Sequence, residues 1–76
     1  MNNRYSLNIM LLNQQAEQKR LGVRLGKKCI KLGVPVAEVA GKLGVSRQTV
    51  YNWFIGAYDP KPELAMVITQ LLRNLK

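Results

Sequence analysis

The sequence contains no histidine, one cysteine (Cys29) and only four acidic residues among its 76. A lone cysteine cannot form an intramolecular disulfide, and a chain without clustered cysteine and histidine offers no zinc site. The acidic residues Glu17, Glu38, Asp59 and Glu63 form no recognisable acid–base group. We therefore expect a protein that is not an enzyme and that uses neither a metal nor a cofactor.

Long hydrophobic runs are also missing, since no apolar stretch approaches the roughly 18 residues of a membrane span. The first thirteen residues, MNNRYSLNIMLLN, include a basic residue and a short apolar run. Asn8 interrupts that run and no small-residue cleavage site follows, so a signal peptide is not expected. The expectation is a cytoplasmic protein with no membrane partner.

Positive charge is what the sequence has in excess, with twelve Lys and Arg residues and a net charge of +8. A chain of this length forms one small domain with a thin core, so a large enclosed active site is not expected. The charge instead favours a polyanionic partner such as DNA. Half of the basic residues fall in one short segment: Lys19, Arg20, Arg24, Lys27, Lys28 and Lys31.

Hydrophobic periodicity predicts helices and no strand beyond residue 13, so the expected fold class is all-α. A first helix is predicted over Gln14–Leu32, where Gly33 and Pro35 would end it. Its apolar stripe consists of Leu21, Leu25, Cys29 and Leu32. Three further helices are predicted over Val36–Leu43, Arg47–Ile55 and Pro62–Leu75, the second of these beginning after a good N-cap residue, Ser46.

The first thirteen residues are ambiguous. Tyr5, Leu7, Ile9 and Leu11 alternate as in a half-buried strand, whereas Leu7, Leu11, Gln14, Gln18, Leu21 and Leu25 trace one face of a long helix. We expect a helix, because the following residues have strong helix propensity and no turn residue intervenes. Residues 1–13 are thus expected to be an N-terminal arm or helix extension to a single domain over residues 14–76.

An apolar cluster lies in this N-terminal segment: Leu7, Ile9, Met10, Leu11 and Leu12. It can pack on the last predicted helix or form a dimer surface. A homodimer through Leu7, Met10 and Leu11, or through the last helix, is therefore one expectation.

The stretch from Val36 to Ile55 has the spacing that two helices joined by a tight turn require. Ala40 is small where the two backbones would approach, and Gly44 accepts a positive φ in the turn. Val50 and Trp53, three residues apart, would point inward against Val39, Leu43 and Val45. The stretch is predicted to be a helix-turn-helix.

Residues 36–55 resemble the twenty-residue helix-turn-helix of the phage repressor and Cro type. That pattern has Ala at its fifth position, Gly at its ninth, Val or Ile at its fifteenth and often Trp at its eighteenth, and Ala40, Gly44, Val50 and Trp53 match it. The resemblance extends more loosely over residues 18–75 and implies a compact, lambda repressor-like bundle of four to five helices. One position departs from the family: Val36 after Pro35 replaces the polar residue that commonly contacts a phosphate.

Burying Val50 and Trp53 leaves Arg47, Gln48, Tyr51 and Asn52 on the opposite face of the helix. Similar domains insert this end of the helix into the major groove, so the resemblance implies base contacts by these four side chains. Arg47 can bond guanine, Gln48 or Asn52 can pair with adenine, and Tyr51 can pack on a thymine methyl or bond a phosphate. Candidates for phosphate contact are Ser46, Thr49, Lys42, Lys61, Tyr58, Lys27, Lys28 and Lys31, and Arg4 is a candidate for a minor-groove contact.

The leading functional hypothesis is a sequence-specific protein that binds double-stranded DNA, a transcriptional regulator or repressor of a phage or bacterial host, cytoplasmic or nucleoid-associated. An alternative is an architectural or DNA-metabolism accessory protein that binds through charge. That protein would show a steep salt dependence but little loss when Arg47 or Gln48 is replaced. A second alternative is a protein-interaction module that retains only the fold.

Overall fold

The structure is a computed structural model that describes residues 5–75; Arg4 and its suggested minor-groove contact lie outside them. These residues form five helices and no strand: α1 (Leu7–Gln15), α2 (Leu21–Leu32), α3 (Val36–Leu43), α4 (Arg47–Phe54) and α5 (Pro62–Asn74). The expected all-α bundle is confirmed. No helix in this part of the chain has the length and apolar character needed to cross a membrane.

Helices α3, α4 and α5 lie where the local signals predict them, to within one residue at their C-terminal ends. Gly33 ends α2 in the left-handed conformation, at φ 71°. The Ser46 side chain caps α4 by accepting a hydrogen bond from the Thr49 backbone N–H at 3.1 Å. Pro62 is the first residue of α5, where its missing N–H costs no helical hydrogen bond.

The prediction of one helix over Gln14–Leu32 is wrong, because the chain leaves the helical conformation between Ala16 and Arg20. The Gln18 side-chain Nε2 donates to the carbonyl oxygens of Asn13 at 2.9 Å, Gln14 at 3.3 Å and Ala16 at 2.9 Å. Carbonyl groups at the end of a helix lack intrahelical hydrogen-bond donors, and here the Gln18 side chain is the donor. The result is a separate helix, α1, which continues across residues 13 and 14, where the N-terminal arm was expected to end and the domain to begin.

Helix α2 is the central element, packed against α1, α4 and α5, while α3 packs on α4. Two glycines let α2 and α4 approach closely. A methyl group at Gly22 would lie 2.7 Å from Trp53 Cβ, and one at Gly26 would lie 2.7 Å from Phe54 Cγ. The largest fully buried side chains are Phe54, Leu25, Ile68, Val23, Val39, Val50 and Cys29.

The N-terminal segment joins this core through α2 and α4 rather than chiefly through α5. Tyr5 is buried, its hydroxyl donates to the Val34 carbonyl, and its ring lies 6.1 Å from that of Phe54. Asn13 is buried as well, and its Nδ2 donates to the carbonyl oxygens of Val23 at 3.1 Å and Phe54 at 2.7 Å. Within the expected apolar cluster, Ile9 and Met10 are half-buried against the core, whereas Leu7, Leu11 and Leu12 are exposed.

Candidate nucleic-acid interface

The connection between α3 and α4 is a tight turn of three residues, 44–46. Gly44 has φ 68°, a conformation that L side chains rarely adopt, and the Val45 N–H donates to the Ala40 carbonyl at 3.1 Å. Ala40, Val50 and Trp53 all belong to one buried cluster. The predicted helix-turn-helix packing is therefore confirmed.

The buried face of α4 determines which of its side chains face outward. Val50, Trp53 and Phe54 are buried, and the last two lie against the glycines of α2. Helical geometry then places Gln48 and Asn52 at the centre of the outward face. Arg47 and Tyr51 lie on one flank of that centre and Thr49 on the other. Arg47 and Gln48 are exposed, whereas Thr49, Tyr51 and Asn52 are half-buried.

Gln48 and Asn52 are hydrogen-bonded to each other across one turn of α4, from Gln48 Nε2 to Asn52 Oδ1 at 3.1 Å. A primary amide has two N–H donors and a carbonyl acceptor. Gln48 therefore keeps one N–H and its Oε1, and Asn52 keeps both N–H groups. The pair holds unused donors and an acceptor at a fixed position on the outward face.

The two hydroxyl candidates for phosphate contact are Ser46, the N-cap of α4, and Thr49, whose backbone N–H it caps. Their side-chain oxygens lie 2.9 Å apart, and Ser46 Oγ also accepts the Thr49 backbone N–H. The cap begins the helix at the end that carries Arg47 and Gln48. Ser46 thus has a structural role whether or not it meets a phosphate.

A surface groove of about 380 Å³ runs beside the outward face of α4. It places two predicted phosphate contacts, Tyr58 and Lys61, next to Thr49 and Asn52. Tyr58 is 67% exposed. The groove is lined by Val45, Thr49, Asn52, Trp53, Tyr58, Asp59, Lys61 and Leu64.

Arg20 fixes the loop that forms one wall of this groove. Its Nε donates to Asp59 Oδ1 at 2.8 Å, and its Nη1 donates to the Gly56 carbonyl. The loop is also held by the Ala57 N–H, which donates to the Asn52 carbonyl at 2.9 Å. Sequence reasoning grouped Arg20 with the other basic residues and missed this role, since its partner is 39 positions away.

The remaining predicted phosphate contacts lie in two different places. Lys42 is near the turn, at the end of α3, where its Nζ lies 3.6 Å from Glu38 Oε2. Lys27, Lys28 and Lys31 are on the side of α2 opposite Gly22 and Gly26, and the structure does not bring them to α4.

The departure from the repressor pattern at Val36 has a packing role. Val36 is buried, and Pro35 before it forms the N-cap of α3. The Pro35 carbonyl accepts the N–H of Glu38 at 3.1 Å. The position that commonly carries a polar side chain therefore contributes to the core here.

The lone cysteine lies in the core and away from this surface. Burial, with a smaller contribution from the Glu38 carboxylate, raises the pKa of the Cys29 thiol to about 12. A thiol in this state is unreactive at neutral pH. Among residues 5–75, no three His, Cys, Asp or Glu side chains are grouped in a way that would hold a metal ion.

Two packed helices joined by a glycine turn, with a polar outward face on the second helix, define a helix-turn-helix DNA-binding domain. The chain belongs to the homeodomain-like domain family, which it matches over residues 13–55, more than half of its length. The match includes α2, α3 and α4. Domains of this family are typically not enzymes. No curated protein and no solved structure matches the chain.

Proposed function

We propose that this protein binds double-stranded DNA in a sequence-specific manner, as a transcriptional regulator of the repressor and Cro type that occupies an operator. Helix α4 enters the major groove with its N-terminal end leading. The observation that carries the proposal is the hydrogen-bonded pair of Gln48 and Asn52 at the centre of the outward face of α4. Such a regulator acts where the chromosome is, in the cytoplasm or nucleoid of a bacterial host.

Gln48 is the side chain best prepared to recognise a base. Adenine presents an N7 acceptor and an N6 donor in the major groove, and a glutamine amide pairs with both. The N–H of Gln48 that Asn52 does not occupy, together with Oε1, supplies the matching donor and acceptor. Because Asn52 already orients this amide, less side-chain freedom is lost on binding.

Arg47 and Asn52 extend recognition to neighbouring base pairs. Arg47 is exposed on the first turn of α4 and can donate two hydrogen bonds to guanine O6 and N7. The free N–H groups of Asn52 can donate to an acceptor on the next base. Tyr51, half-buried on the flank of the helix, is placed for a thymine methyl or a phosphate.

The backbone of the same duplex would meet the side chains that surround α4. Lys61 and Tyr58 border the groove on one side of the helix, and Lys42 precedes the turn. Contacts of this kind fix the register of the protein on DNA and carry no sequence information directly. Lys27, Lys28 and Lys31 face away from that duplex.

A homodimer would place two α4 helices about 34 to 36 Å apart, on a site with two-fold symmetry. Two exposed apolar surfaces are available for it. One is Leu7 and Leu11 of α1, 68% and 44% exposed, beside the half-buried Met10; the other is Met66 and Val67 of α5.

The proposal is tested by selecting bound sites from a random duplex pool at physiological salt. The wild type is compared with Arg47→Ala, with Gln48→Glu and with Lys19→Ala, which removes one exposed charge from the turn before α2. We expect Arg47→Ala to relax the preference at one base pair by about 1 to 3 kcal/mol. Gln48→Glu removes the donor that adenine N7 needs but accepts from cytosine N4, so we expect one position to change from adenine to cytosine. Lys19→Ala should select the wild-type site.

Each result of the selection discriminates between hypotheses. An enriched palindrome supports a dimer, whereas a single half-site supports recognition by a monomer. If all four proteins enrich nothing and binding collapses as salt rises, the charge-driven alternative replaces the regulator. If none of them binds DNA, the interaction-module alternative remains.

A further inference from the structure

Five basic side chains form a surface on α2 and α5 that the proposed operator contact does not use. We call it the basic face: Arg24, Lys27, Lys28, Lys31 and Arg73. None of the five is in an ion pair within residues 5–75, where the two ion pairs are Glu38–Lys42 and Asp59–Arg20 and neither Glu17 nor Glu63 is paired. All but Lys28 are exposed. The basic face is therefore a surface of positive charges that have no ion-pair partners among the described residues.

A groove of about 560 Å³ between α2 and α5 is lined by four of these five side chains, all but Lys31. No acidic residue lines it, and its neutral polar members are an amide and a hydroxyl, from Gln18 and Thr69. Its one large apolar member is the half-buried Leu72. A surface that inserts into lipid needs an exposed apolar side, which this groove lacks. The chemistry that fits is a row of phosphates.

The basic face points away from the duplex that α4 would hold. The side of α2 that carries Gly22 and Gly26 contacts the buried side of α4, so the two functional surfaces lie on opposite sides of this helix pair. Packed helix axes are about 8 to 10 Å apart and each helix is about 10 to 12 Å wide. The molecule is 21 Å thick along its two shorter axes. A straight duplex in contact with α4 therefore leaves the basic face free.

We propose that the basic face binds the phosphate backbone of a second DNA segment, so that one protein molecule bridges two duplexes. From Arg24 to Lys31, α2 advances about 10 Å. Over that length a duplex carries about six phosphate charges on its two strands, a number of the same order as the basic side chains of this surface. Contacts of this kind are independent of sequence. The bridging rests on the proposed function, since α4 must hold the first duplex.

The experiment measures capture of a second duplex. A biotinylated duplex carrying the selected site is saturated with protein on beads, and a fluorescent duplex of unrelated sequence is added. The wild type is compared with Arg24→Gln/Lys27→Gln/Lys31→Gln, which removes three exposed charges from the basic face. The matched control, Asn8→Glu/Lys19→Glu, lowers the net charge by the same three units at two exposed residues outside both proposed DNA contacts. Circular dichroism establishes that each variant is folded.

We expect the wild type and the matched control to capture the fluorescent duplex, in proportion to the protein held on the beads. The basic-face variant should capture at least about tenfold less of the fluorescent duplex than the wild type does. The slope of log capture against log salt should fall by about three, one for each lost phosphate contact. Its affinity for the selected site should remain within about threefold of wild type. Capture by the basic-face variant equal to wild type would overturn the proposal, because a dimer with two α4 helices would then be the bridge.

The two proposals fail separately. If the wild type binds the selected site but captures no second duplex, bridging is wrong and the regulator stands. In Arg47→Ala/Gln48→Ala the base contacts of α4 are lost, and binding of the unrelated duplex in solution at low salt reports the remaining phosphate contacts, which include those of the basic face. If that binding is unchanged when the three basic-face substitutions are added, the basic face does not bind DNA.

Discussion

Arg20 and Asn13 each connect segments that are far apart in the sequence. Arg20 holds the loop after α4 through Asp59 and Gly56, and Asn13 joins α1 to the backbones of α2 and α4. Neither residue has a local signature, because each acts on a partner that only the folded chain brings near. Ser46, by contrast, was predictable as an N-cap, since its partner Thr49 is three residues away.

Cys29 provides a prediction about pH. Burial raises the pKa of its thiol from 9.0 to about 12, with a smaller effect from Glu38. Above pH 9 the unfolded chain loses the thiol proton while the folded chain retains it, so the free energy of unfolding falls as pH rises from 9 towards 12. The slope from this one group is about 1.4 kcal/mol per pH unit.

Urea denaturation of the wild type and of Cys29→Ala between pH 8 and pH 11 measures this slope. The substitution lowers stability at every pH because it leaves a small cavity, so the comparison is of slopes. All other side chains are the same in both proteins. Equal slopes above pH 9 would show that the buried thiol does not resist ionisation.

Among the helices, α3, α4 and α5 were predictable and the division between α1 and α2 was not. The first three have local start and stop signals, such as Gly44, Ser46 and Pro62. The stretch from Ala16 to Arg20 contains neither glycine nor proline, and the helix face of Leu11, Gln14, Gln18 and Leu21 continues through it. The break depends on Gln18, which folds back on the end of α1, and on Asn13, whose partners are in α2 and α4. Periodicity along the chain carries no information about such tertiary hydrogen bonds.

The close approach of α2 and α4 predicts that two glycines resist substitution. In Gly22→Ala the new methyl group would lie 2.7 Å from Trp53 Cβ and 2.9 Å from the Trp53 carbonyl oxygen. In Gly26→Ala it would lie 2.7 Å from Phe54 Cγ. Because the helices must move apart, we expect each substitution to lower the free energy of unfolding by about 1 to 3 kcal/mol.

Gly41→Ala is the matched control, since Gly41 is an exposed residue of α3 and a methyl group there meets no atom within 4 Å. Alanine is the better helix former, so this variant should be more stable by up to about 1 kcal/mol. Urea denaturation of the three variants measures all of these changes. Stabilisation by all three substitutions would mean that α2 and α4 are not in close contact.

At the scale of the whole molecule, α2 separates two surfaces that sequence reasoning had combined. The helix-turn-helix spacing correctly placed Arg47, Gln48 and Asn52 on the side of α4 away from the core. The sequence also predicted that Lys27, Lys28 and Lys31 contact phosphates of the same DNA as Lys61. Periodicity indicates which residues share a helix face, but not which other helix covers the opposite face. Because Gly22 packs against Trp53, the glycine side of α2 faces α4, and the lysines on the other side of α2 face away from it.

Asn13 is the single buried polar side chain among the described residues, and we expect substitutions there to destabilise the whole domain. Its amide donates to two carbonyl oxygens, so Asn13→Asp at neutral pH would place a carboxylate against the carbonyls of Val23 and Phe54. We expect a loss of about 3 to 5 kcal/mol, the cost of an uncompensated buried charge. Burial and the two acceptors raise the pKa of the new carboxyl group in the folded state, so the loss should shrink as pH falls through that pKa towards about 4.

Asn13→Ala loses the same hydrogen bonds without a charge, and its loss, about 1 to 3 kcal/mol, should not depend on pH. Urea denaturation at pH 4 and pH 7 measures both, and equal losses for the two variants at both values would mean that Asn13 is not enclosed by α1, α2 and α4.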